Sequence, residues 1–236
     1  GTYIPEEIWA RFRREPVTPL TSMDWHLEKL YNFLPELGVT VLEATHSRYV
    51  VDLNRPLTPP LHGSYRTSVV FEDNTWQRPL YDEPVSEDEA EERVARYYRP
   101  YHERLRRLLD EVRREYGEVY LLDLHGFGVP SIQADIVFGD VNGMTCSERL
   151  VGAFEGAFRG AGFTTARNDL WVGGHITRHY GGLPGVEALQ IEHRLTAYLD
   201  LDWVGEEEIT AWDSETFRAA RRRARPPPGG TTPTPV

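Results

Sequence analysis

The sequence is poor in cysteine, in basic charge and in long apolar runs. Its single cysteine excludes an internal disulfide and a cysteine zinc cluster, so any metal must be bound through His, Asp or Glu. The 37 acidic residues exceed the 26 basic ones, and the formal charge of -11 argues against a nucleic-acid partner. No apolar stretch approaches the ~18 residues of a membrane helix, and no signal-peptide pattern opens the chain. We therefore expect a cytoplasmic protein with no membrane partner.

What is present is the composition of a globular protein. Hydrophobic residues make up 40% of the 236 positions and aromatic residues 11%, which suffices for one large core. The C-terminal residues are rich in proline, glycine and threonine, and such a composition cannot build a core. We predict a single domain over residues 1–222 and a disordered tail over residues 223–236.

Hydrophobic spacing predicts an α/β protein. Helices are expected over 24–37, over 86–116 with a bend at Pro100, over 147–158 and after Glu206. The expected strands are 39–42, 49–53, 119–124, 134–138, 163–166 and 186–191. Strands 119–124 and 186–191 are almost continuously apolar and so require cover on both faces. We predict a three-layer αβα fold whose mixed, largely parallel sheet has these two strands at its centre.

The run EVYLLDLHG, residues 118–126, is the most informative segment. It reads as a buried strand that ends in Asp123, His125 and Gly126. Ligands bind at the carboxyl edge of open α/β sheets, where the loops converge. An imidazole there, with an acid two residues earlier, suits a metal site or a general-base site. A buried histidine that donates to a backbone carbonyl explains the run equally well.

Two segments offer groups that suit an acidic substrate. In THSRYVVDLNRP, Arg48, Asn54 and Arg55 provide guanidinium forks and an amide that fit a carboxylate, unless Asp52 simply pairs with one of the arginines. In GGHITRHYG, two glycines precede Arg178 and allow a ligand to approach the backbone, although glycine pairs are also common in turns.

A third segment, ALQIEHR, ends an apolar run with Glu192. A carboxylate at the sheet edge can serve as a general base. Taken alone, a solvated acid at the end of a strand is the more common explanation.

Together these segments resemble the N-formylglutamate amidohydrolase (deformylase) family, whose fold is related to the zinc carboxypeptidases. The resemblance is carried by MDWHLEKLYNFLPELGVTVLEATHSRYVVDLNRP, LLDLHG, ADIVFGDVNG, GGHITRHYG and GVEALQIEHRLTAYLD, in that order. It implies a phosphorylase/hydrolase-like fold and a Zn²⁺ ion, or another divalent metal, that activates water against an amide carbonyl. The implied partner is a small acidic N-acyl amino acid, most simply N-formyl-L-glutamate, cleaved to formate and L-glutamate.

The resemblance also implies roles for individual residues. His125 and Asp24 correspond to metal ligands, and Glu192 to the base that activates water and passes its proton to the leaving amine. Substrate carboxylates are held by the group Arg48, Asn54, Arg55 and Arg178.

The chain departs from the family pattern at several positions. The family has a further histidine ligand in a Pro-His-Ser/Ala-Gly segment, which would precede Gly1. Ser22 replaces the first acid of the family's Asp-x-Asp-Trp-His stretch, and His46 and His175 stand where aromatic residues are frequent. These departures leave two alternatives open. One is a zinc amidase or carboxypeptidase-like hydrolase acting on a peptide or cell-wall fragment, and the other is a non-catalytic binder of acidic metabolites.

Overall fold

The computed structural model describes residues 1–201, 209 and 211–225. Its helices are α1 (Glu6–Trp9), α2 (Leu27–Leu30), α3 (Glu87–Arg93), α4 (Arg99–Tyr116), α5 (Glu148–Gly160), α6 (His175–Gly181) and α7 (Glu215–Ala224). Its strands are β1 (His62–Gly63), β2 (Val70–Phe71), β3 (Val119–Phe127), β4 (Ile136–Gly139), β5 (Thr165–Arg167) and β6 (Val186–Arg194). Short 3-10 turns cover Leu34–Leu37 and Leu195–Ala197, and a π turn covers Val94–Tyr98.

The main sheet has four strands in the order β3-β6-β4-β5. β3 and β6 are parallel, β4 and β5 are parallel, and β4 runs antiparallel to β6. Helices cover both faces: Leu189 and Ile191 of β6 pack in one apolar cluster with residues of α5, whereas Val186 packs in another with residues of α4 and α6. The mixed, largely parallel three-layer architecture is therefore confirmed.

The predicted position of β3 in the sheet is wrong. β6 lies between β3 and β4, as expected, but no described strand pairs with the outer edge of β3. The apolar run predicted burial, and several of its residues are only partly buried, with Tyr120 36% exposed. Sequence hydrophobicity reports whether the faces of a strand are covered and carries no information about its edges.

The N-terminal third of the chain also differs from its prediction. Residues 39–42 and 49–53 form no strand, although Tyr49 and Val50 are fully buried. They pack in a cluster with Val70 and Phe71 of the small parallel sheet formed by β1 and β2. Their apolar character thus reflects packing of irregular backbone, which short hydrophobic runs do not distinguish from a strand.

The helix predicted over 24–37 is broken into α2 and a 3-10 turn. His26, directly before α2, has a left-handed backbone with φ of 59°, and Gly38 ends the segment with φ of 76°. A left-handed residue cannot continue an α-helix, so His26 and Gly38 bound the segment, and within it only α2 and the 3-10 turn are helical. The predicted stop at Gly38 is confirmed.

The charged helix predicted over 86–116 is confirmed, and its irregularity is a π turn between α3 and α4. Ser86 caps α3 by accepting a hydrogen bond from the Glu89 amide at 3.2 Å. Pro100 stands at the start of α4, directly after the π turn, where its missing N–H and fixed φ are tolerated. A π turn adds one residue to the helix and so changes which side chains face the sheet.

At the C-terminus, α7 ends at Ala224, so the helix extends into the segment predicted as a tail. Residues 226–236, the remainder of that segment, lie outside the described residues. Within the described part of the chain, no helix combines the length and the apolar character that a membrane crossing requires.

We expect His193 of β6 to make stability pH-dependent. Its ring is buried against Tyr31, whose hydroxyl is hydrogen-bonded to Nε2, and against Phe158. Burial lowers the pKa of His193 to about 3, so the unfolded chain binds more protons than the folded chain between about pH 6.5 and 3. Stability is then fully present above this window and is lost as the pH falls, by up to about 1.4 kcal/mol per pH unit.

Urea unfolding of wild type and His193→Gln between pH 7 and pH 4 measures this effect. The slope of the unfolding free energy against pH should be smaller in the variant, whatever its absolute stability. Equal slopes would show that the acid sensitivity arises elsewhere.

Candidate active site

Two neighbouring strands present four polar side chains on one face of the sheet. β3 carries Asp123 and His125, and β6 carries Gln190 and Glu192. The parallel register places His125 opposite Glu192 and Asp123 opposite Gln190. Because side chains alternate along a strand, all four point to the same side, where the Thr177 hydroxyl of α6 donates to Asp123 at 3.2 Å. An open cleft is lined by these four residues.

His125 is held between two carboxylates. Its Nε2 lies 3.0 Å from Oδ1 of Asp123, and its Nδ1 lies 3.5 Å from Oδ2 of Asp24. The other oxygen of Asp24 accepts a hydrogen bond from the Gly126 amide at 2.7 Å. Burial works against the imidazolium, but the charges of Asp123 and Asp24 outweigh it and raise the pKa of His125. Burial likewise opposes ionisation of Asp24, and His125 and the Gly126 amide nevertheless lower the pKa of Asp24 to about 2.

Asn54 lies beside this ion cluster. Its Nδ2 is 3.0 Å from Nε2 of His125 and 3.4 Å from Oδ2 of Asp123, and its Oδ1 accepts a hydrogen bond from the Ile176 amide at 2.7 Å. Because a backbone N–H can only donate, the Ile176 contact fixes which end of the Asn54 amide faces the cluster. The loop that carries Asn54 is thus anchored both to β3 and to the start of α6.

The long helix supports the same loop from behind. The Tyr98 hydroxyl donates to the carbonyl of Arg55 at 2.7 Å, and His102 Nε2 lies 2.9 Å from the carbonyl of Leu53. Burial lowers the pKa of His102 to about 4, so the ring is neutral at neutral pH and donates its Nε2 proton to Leu53. The carbonyls on both sides of Asn54 therefore each have a fixed partner.

Glu192 is a buried carboxyl group with one hydrogen-bond partner among the described residues. Glu192 is only 5% exposed, and its Oε1 accepts a hydrogen bond from Nε2 of Gln190 at 2.6 Å. Burial, assisted by the nearby charges of Asp24 and Asp123, raises the pKa of Glu192 to about 8, although His125 opposes the shift. A carboxyl group in this range takes up and releases a proton near neutral pH.

Two arginines flank the cleft, and both pair with the buried Asp52. Arg48 Nη2 lies 2.6 Å and Arg55 Nε 3.0 Å from the same oxygen, Oδ2 of Asp52. The alternative raised in the sequence analysis, that Asp52 pairs with one of these arginines, therefore holds for both Arg48 and Arg55. Arg55 still has two terminal nitrogens that no described residue engages, and its guanidinium lies over the rings of Tyr65 and Phe71, 5.2 and 5.0 Å from their centroids. Those nitrogens can receive a ligand carboxylate.

The family of the chain follows from comparison with known proteins. A family model of N-formylglutamate amidohydrolase matches residues 1–199. The chain belongs to the N-formylglutamate amidohydrolase family. The N-formylglutamate deformylase of Pseudomonas aeruginosa is 36% identical over 198 residues, which cover 79% of this chain and 74% of that protein. The corresponding enzyme of Pseudomonas putida is 34% identical over 197 residues, with the same coverage.

A solved structure agrees with this assignment. The crystal structure of N-formylglutamate amidohydrolase from Ralstonia eutropha superposes with a TM-score of 0.73 at 27% identity. The match covers 90% of this chain and 92% of that chain. This member of the N-formylglutamate amidohydrolase family therefore shares its αβα fold with the Ralstonia eutropha protein over most of its length.

The structure brings together six of the seven residues singled out by the sequence. The cleft is lined by Asp24, Arg48, Asn54, Arg55, His125 and Glu192. Arg178 stands apart, because it is exposed on α6 and its Nε donates to the carbonyl of Gly173 at 2.9 Å. Its hydrogen-bond acceptor Gly173 lines the cleft, but Arg178 itself does not.

The residues present fit part of a metal site. Two ligand atoms bound tetrahedrally to zinc at ~2.1 Å lie about 3.4 Å apart, and Nδ1 of His125 and Oδ2 of Asp24 are separated by 3.5 Å. Nε2 already faces Asp123 and the Asn54 amide, which leaves Nδ1, the nitrogen that faces Asp24, as the ligand atom. No group of three or more His, Cys, Asp or Glu residues arranged to hold a metal occurs in the part of the chain that the structure describes. The described donors thus supply two ligands.

Sequence reasoning gave no role to Gln190 or Thr177, and it noted Asp123 only as an acid near His125. The sequence signal that could have identified Gln190 and Asp123 is the two-residue alternation of side chains along a strand. Gln190 stands two positions before Glu192, as Asp123 does before His125, and alternation puts each pair on one face of its strand. Thr177 had no such signal, because its contact with Asp123 spans 54 positions of the sequence.

We expect the Asp52 carboxylate to be a large contributor to stability. Its side chain is only 4% exposed, whereas those of Arg48 and Arg55 are 28% and 19% exposed. Asp52→Ala leaves two partly buried guanidinium groups without their shared partner. We expect a loss of about 3 kcal/mol in the free energy of unfolding, the lower end for a broken buried ion pair, because both arginines keep some contact with water.

Asp110 provides the matched control for that measurement. It also pairs with two arginines, Arg106 at 3.2 Å and Arg113 at 3.1 Å, but on the solvated side of α4 with 35% exposure. Asp110→Ala should cost less than about 1 kcal/mol in urea unfolding. Similar losses for the two variants would show that burial adds nothing to the Asp52 cluster.

Proposed function

We propose that this protein hydrolyses the amide of N-formyl-L-glutamate, giving formate and L-glutamate, with a divalent cation held by His125 and Asp24. The observation that carries the proposal is the placement of the buried Glu192 directly opposite His125 on paired strands, in a cleft that also contains Arg55 with two unengaged nitrogens. The names of the relatives from both Pseudomonas species support the choice of substrate.

Each side chain has a separate task in this reaction. The terminal nitrogens of Arg55 bind a substrate carboxylate, with Asp52 and the two aromatic rings holding the guanidinium plane in place. Arg48 shares Asp52 and donates to the carbonyl of Ser22 at 2.9 Å, so it fixes the wall of the cleft. Asn54 lies between the arginines and His125, where its position is set by the Ile176 amide.

Glu192 carries the proton. Water attacks the formyl carbon, Glu192 takes a proton from that water, and the same carboxyl group then delivers the proton to the amine nitrogen as the C–N bond breaks. Its pKa, raised to about 8 mainly by burial, makes proton delivery to the amine favourable near neutral pH. A zinc ion at His125 and Asp24 would polarise the carbonyl and lower the pKa of water to about 7.

The first test separates the proton carrier from the metal ligand. We expect Glu192→Gln to retain the metal of the wild type and to lose about 10²–10⁴-fold in kcat, because the ligands remain and the proton carrier is gone. His125→Ala should lose both metal and activity. Metal is measured by elemental analysis after dialysis, and turnover by release of formate.

Two control variants make this test specific. Glu187→Gln is the same change on the same strand, at a carboxylate that accepts a hydrogen bond from the Ser147 amide, and it should keep full activity. His62→Ala removes a histidine of the small sheet that pairs with Glu72 and should keep the metal. Near wild-type turnover of Glu192→Gln would remove Glu192 from the mechanism, and an active wild type that retains no metal would remove the cation.

The second test concerns recognition of the acidic substrate. Arg55→Lys keeps the charge but loses the planar fork that matches a carboxylate. Hydrogen bonds to charged groups are worth roughly 1.5–3 kcal/mol, so the loss of one should raise KM for N-formyl-glutamate about ten- to hundredfold. The neutral analogue N-formyl-glutamine should be affected much less.

The comparison of these two substrates decides the role of Arg55. Arg66→Lys is the control: it makes the same change at an exposed arginine, and it should leave both KM values unchanged. If Arg55→Lys lowers stability but leaves the preference between the two substrates intact, Arg55 only braces Asp52. An N-formyl dipeptide in the same assay tests whether the open cleft prefers a larger substrate.

A further inference from the structure

The geometry points to Gln190 as the positioning residue of this site. We propose that its amide, itself held by the Gly174 N–H, orients the Glu192 carboxyl group. Its catalytic meaning rests on the proposed role of Glu192. The hydrogen bonds that support the positioning role belong to the folded chain alone, so this role can also be tested without substrate.

Gln190 makes one hydrogen bond with each end of its amide. Its Oε1 accepts from the Gly174 amide at 2.5 Å, and its Nε2 donates to Oε1 of Glu192 at 2.6 Å. The residue is 3% exposed, so water does not compete for either group. Since the Gly174 N–H can only donate, the amide oxygen must face the turn and the NH₂ group must face Glu192. A flip of the amide would break both hydrogen bonds.

This orientation divides the two oxygens of Glu192. Oε1 is committed to Gln190, and no other described residue donates to the carboxyl group. Oε2 is therefore the oxygen that remains to exchange a proton during the reaction. Without Gln190, a buried carboxyl group would have no fixed hydrogen-bond partner, and its side chain would lose the contact that selects its rotamer.

The second hydrogen bond anchors Gln190 to a turn that is itself fixed by close packing. A Cβ atom on Gly174 would lie 2.4 Å from Nδ2 of Asn54, so the glycine packs directly against that amide. The φ of Gly174 is -79°, an ordinary value, so close approach and not backbone conformation requires glycine here. The Gly174 amide thus gives Gln190 a rigid anchor from which to orient Glu192.

The test uses Gln190→Met, which nearly preserves side-chain volume and removes both hydrogen bonds. We expect kcat for N-formyl-glutamate to fall about ten- to hundredfold with KM changed by less than about threefold, because the proton carrier is misplaced while Arg55 is untouched. Gln77→Met, at an exposed glutamine without a side-chain partner among the described residues, is the control and should leave both constants unchanged.

A double variant separates positioning from a general structural role. If Gln190 acts through Glu192, adding Gln190→Met to Glu192→Gln should lower kcat no further, because the group being positioned is already inactive. A merely structural residue would lower the activity of both backgrounds by the same factor. Equal factors would overturn the proposal.

Crystal structures provide the readout that does not depend on catalysis. In Gln190→Met the Glu192 carboxyl group should leave its wild-type position or occupy more than one rotamer, even if N-formyl-glutamate proves not to be the substrate. A Glu192 side chain that stays in place without Gln190 would refute the positioning role. An ordered shift together with an inactive wild type would instead refute the proposed function and leave the positioning role supported.

Discussion

The pairing of β3 with β6 is the constraint on which the site depends. The two strands are parallel over nine residue pairs, and this register sets His125 opposite Glu192 and Asp123 opposite Gln190. A shift of one residue would turn the side chains of one strand to the other face and separate Glu192 from His125. The apolar residues Leu189 and Ile191, buried against α5, prevent that shift because it would expose them to the polar cleft.

Around this strand pair, each acidic side chain has a partner that offsets the free-energy cost of removing its charge from water. Each acid of the cluster has a cation or a donor: Asp24 and Asp123 share His125, Asp52 has two arginines, and Glu192 has Gln190. Glu192 receives the weakest compensation, a neutral amide, and burial raises its pKa, whereas His125 and the two arginines lower the pKa values of Asp24 and Asp52 against the effect of burial. This difference in pKa separates Asp24 and Asp52, which stay ionised and hold the cleft together, from Glu192, which can exchange a proton near neutral pH.

The sequence predicted the parts of this site that depend on short-range pattern. The strand ending in His125, the strand ending in Glu192, the capped charged helix and the mixed sheet all follow from periodicity and capping residues. The edge position of β3 and the irregular backbone around Tyr49 did not, because apolar content does not distinguish strand pairing from loop packing. That Arg178 does not line the cleft and that Thr177 donates to Asp123 both depend on the tertiary fold, so neither was predictable from spacing.

The π turn at Val94–Tyr98 has a consequence for how this helix tolerates change in length. Before the turn, Arg93 faces inward and donates to the Tyr81 hydroxyl, whereas Tyr98 at the end of the turn and His102 beyond it face the carbonyls around Asn54. Deleting one residue there would restore ordinary α-helix and rotate one half against the other by about 100°. Arg93 and the Tyr98–His102 pair could then no longer face their partners together. In descendants of this sequence, insertions and deletions should therefore be excluded from this helix even where its surface composition is free to drift.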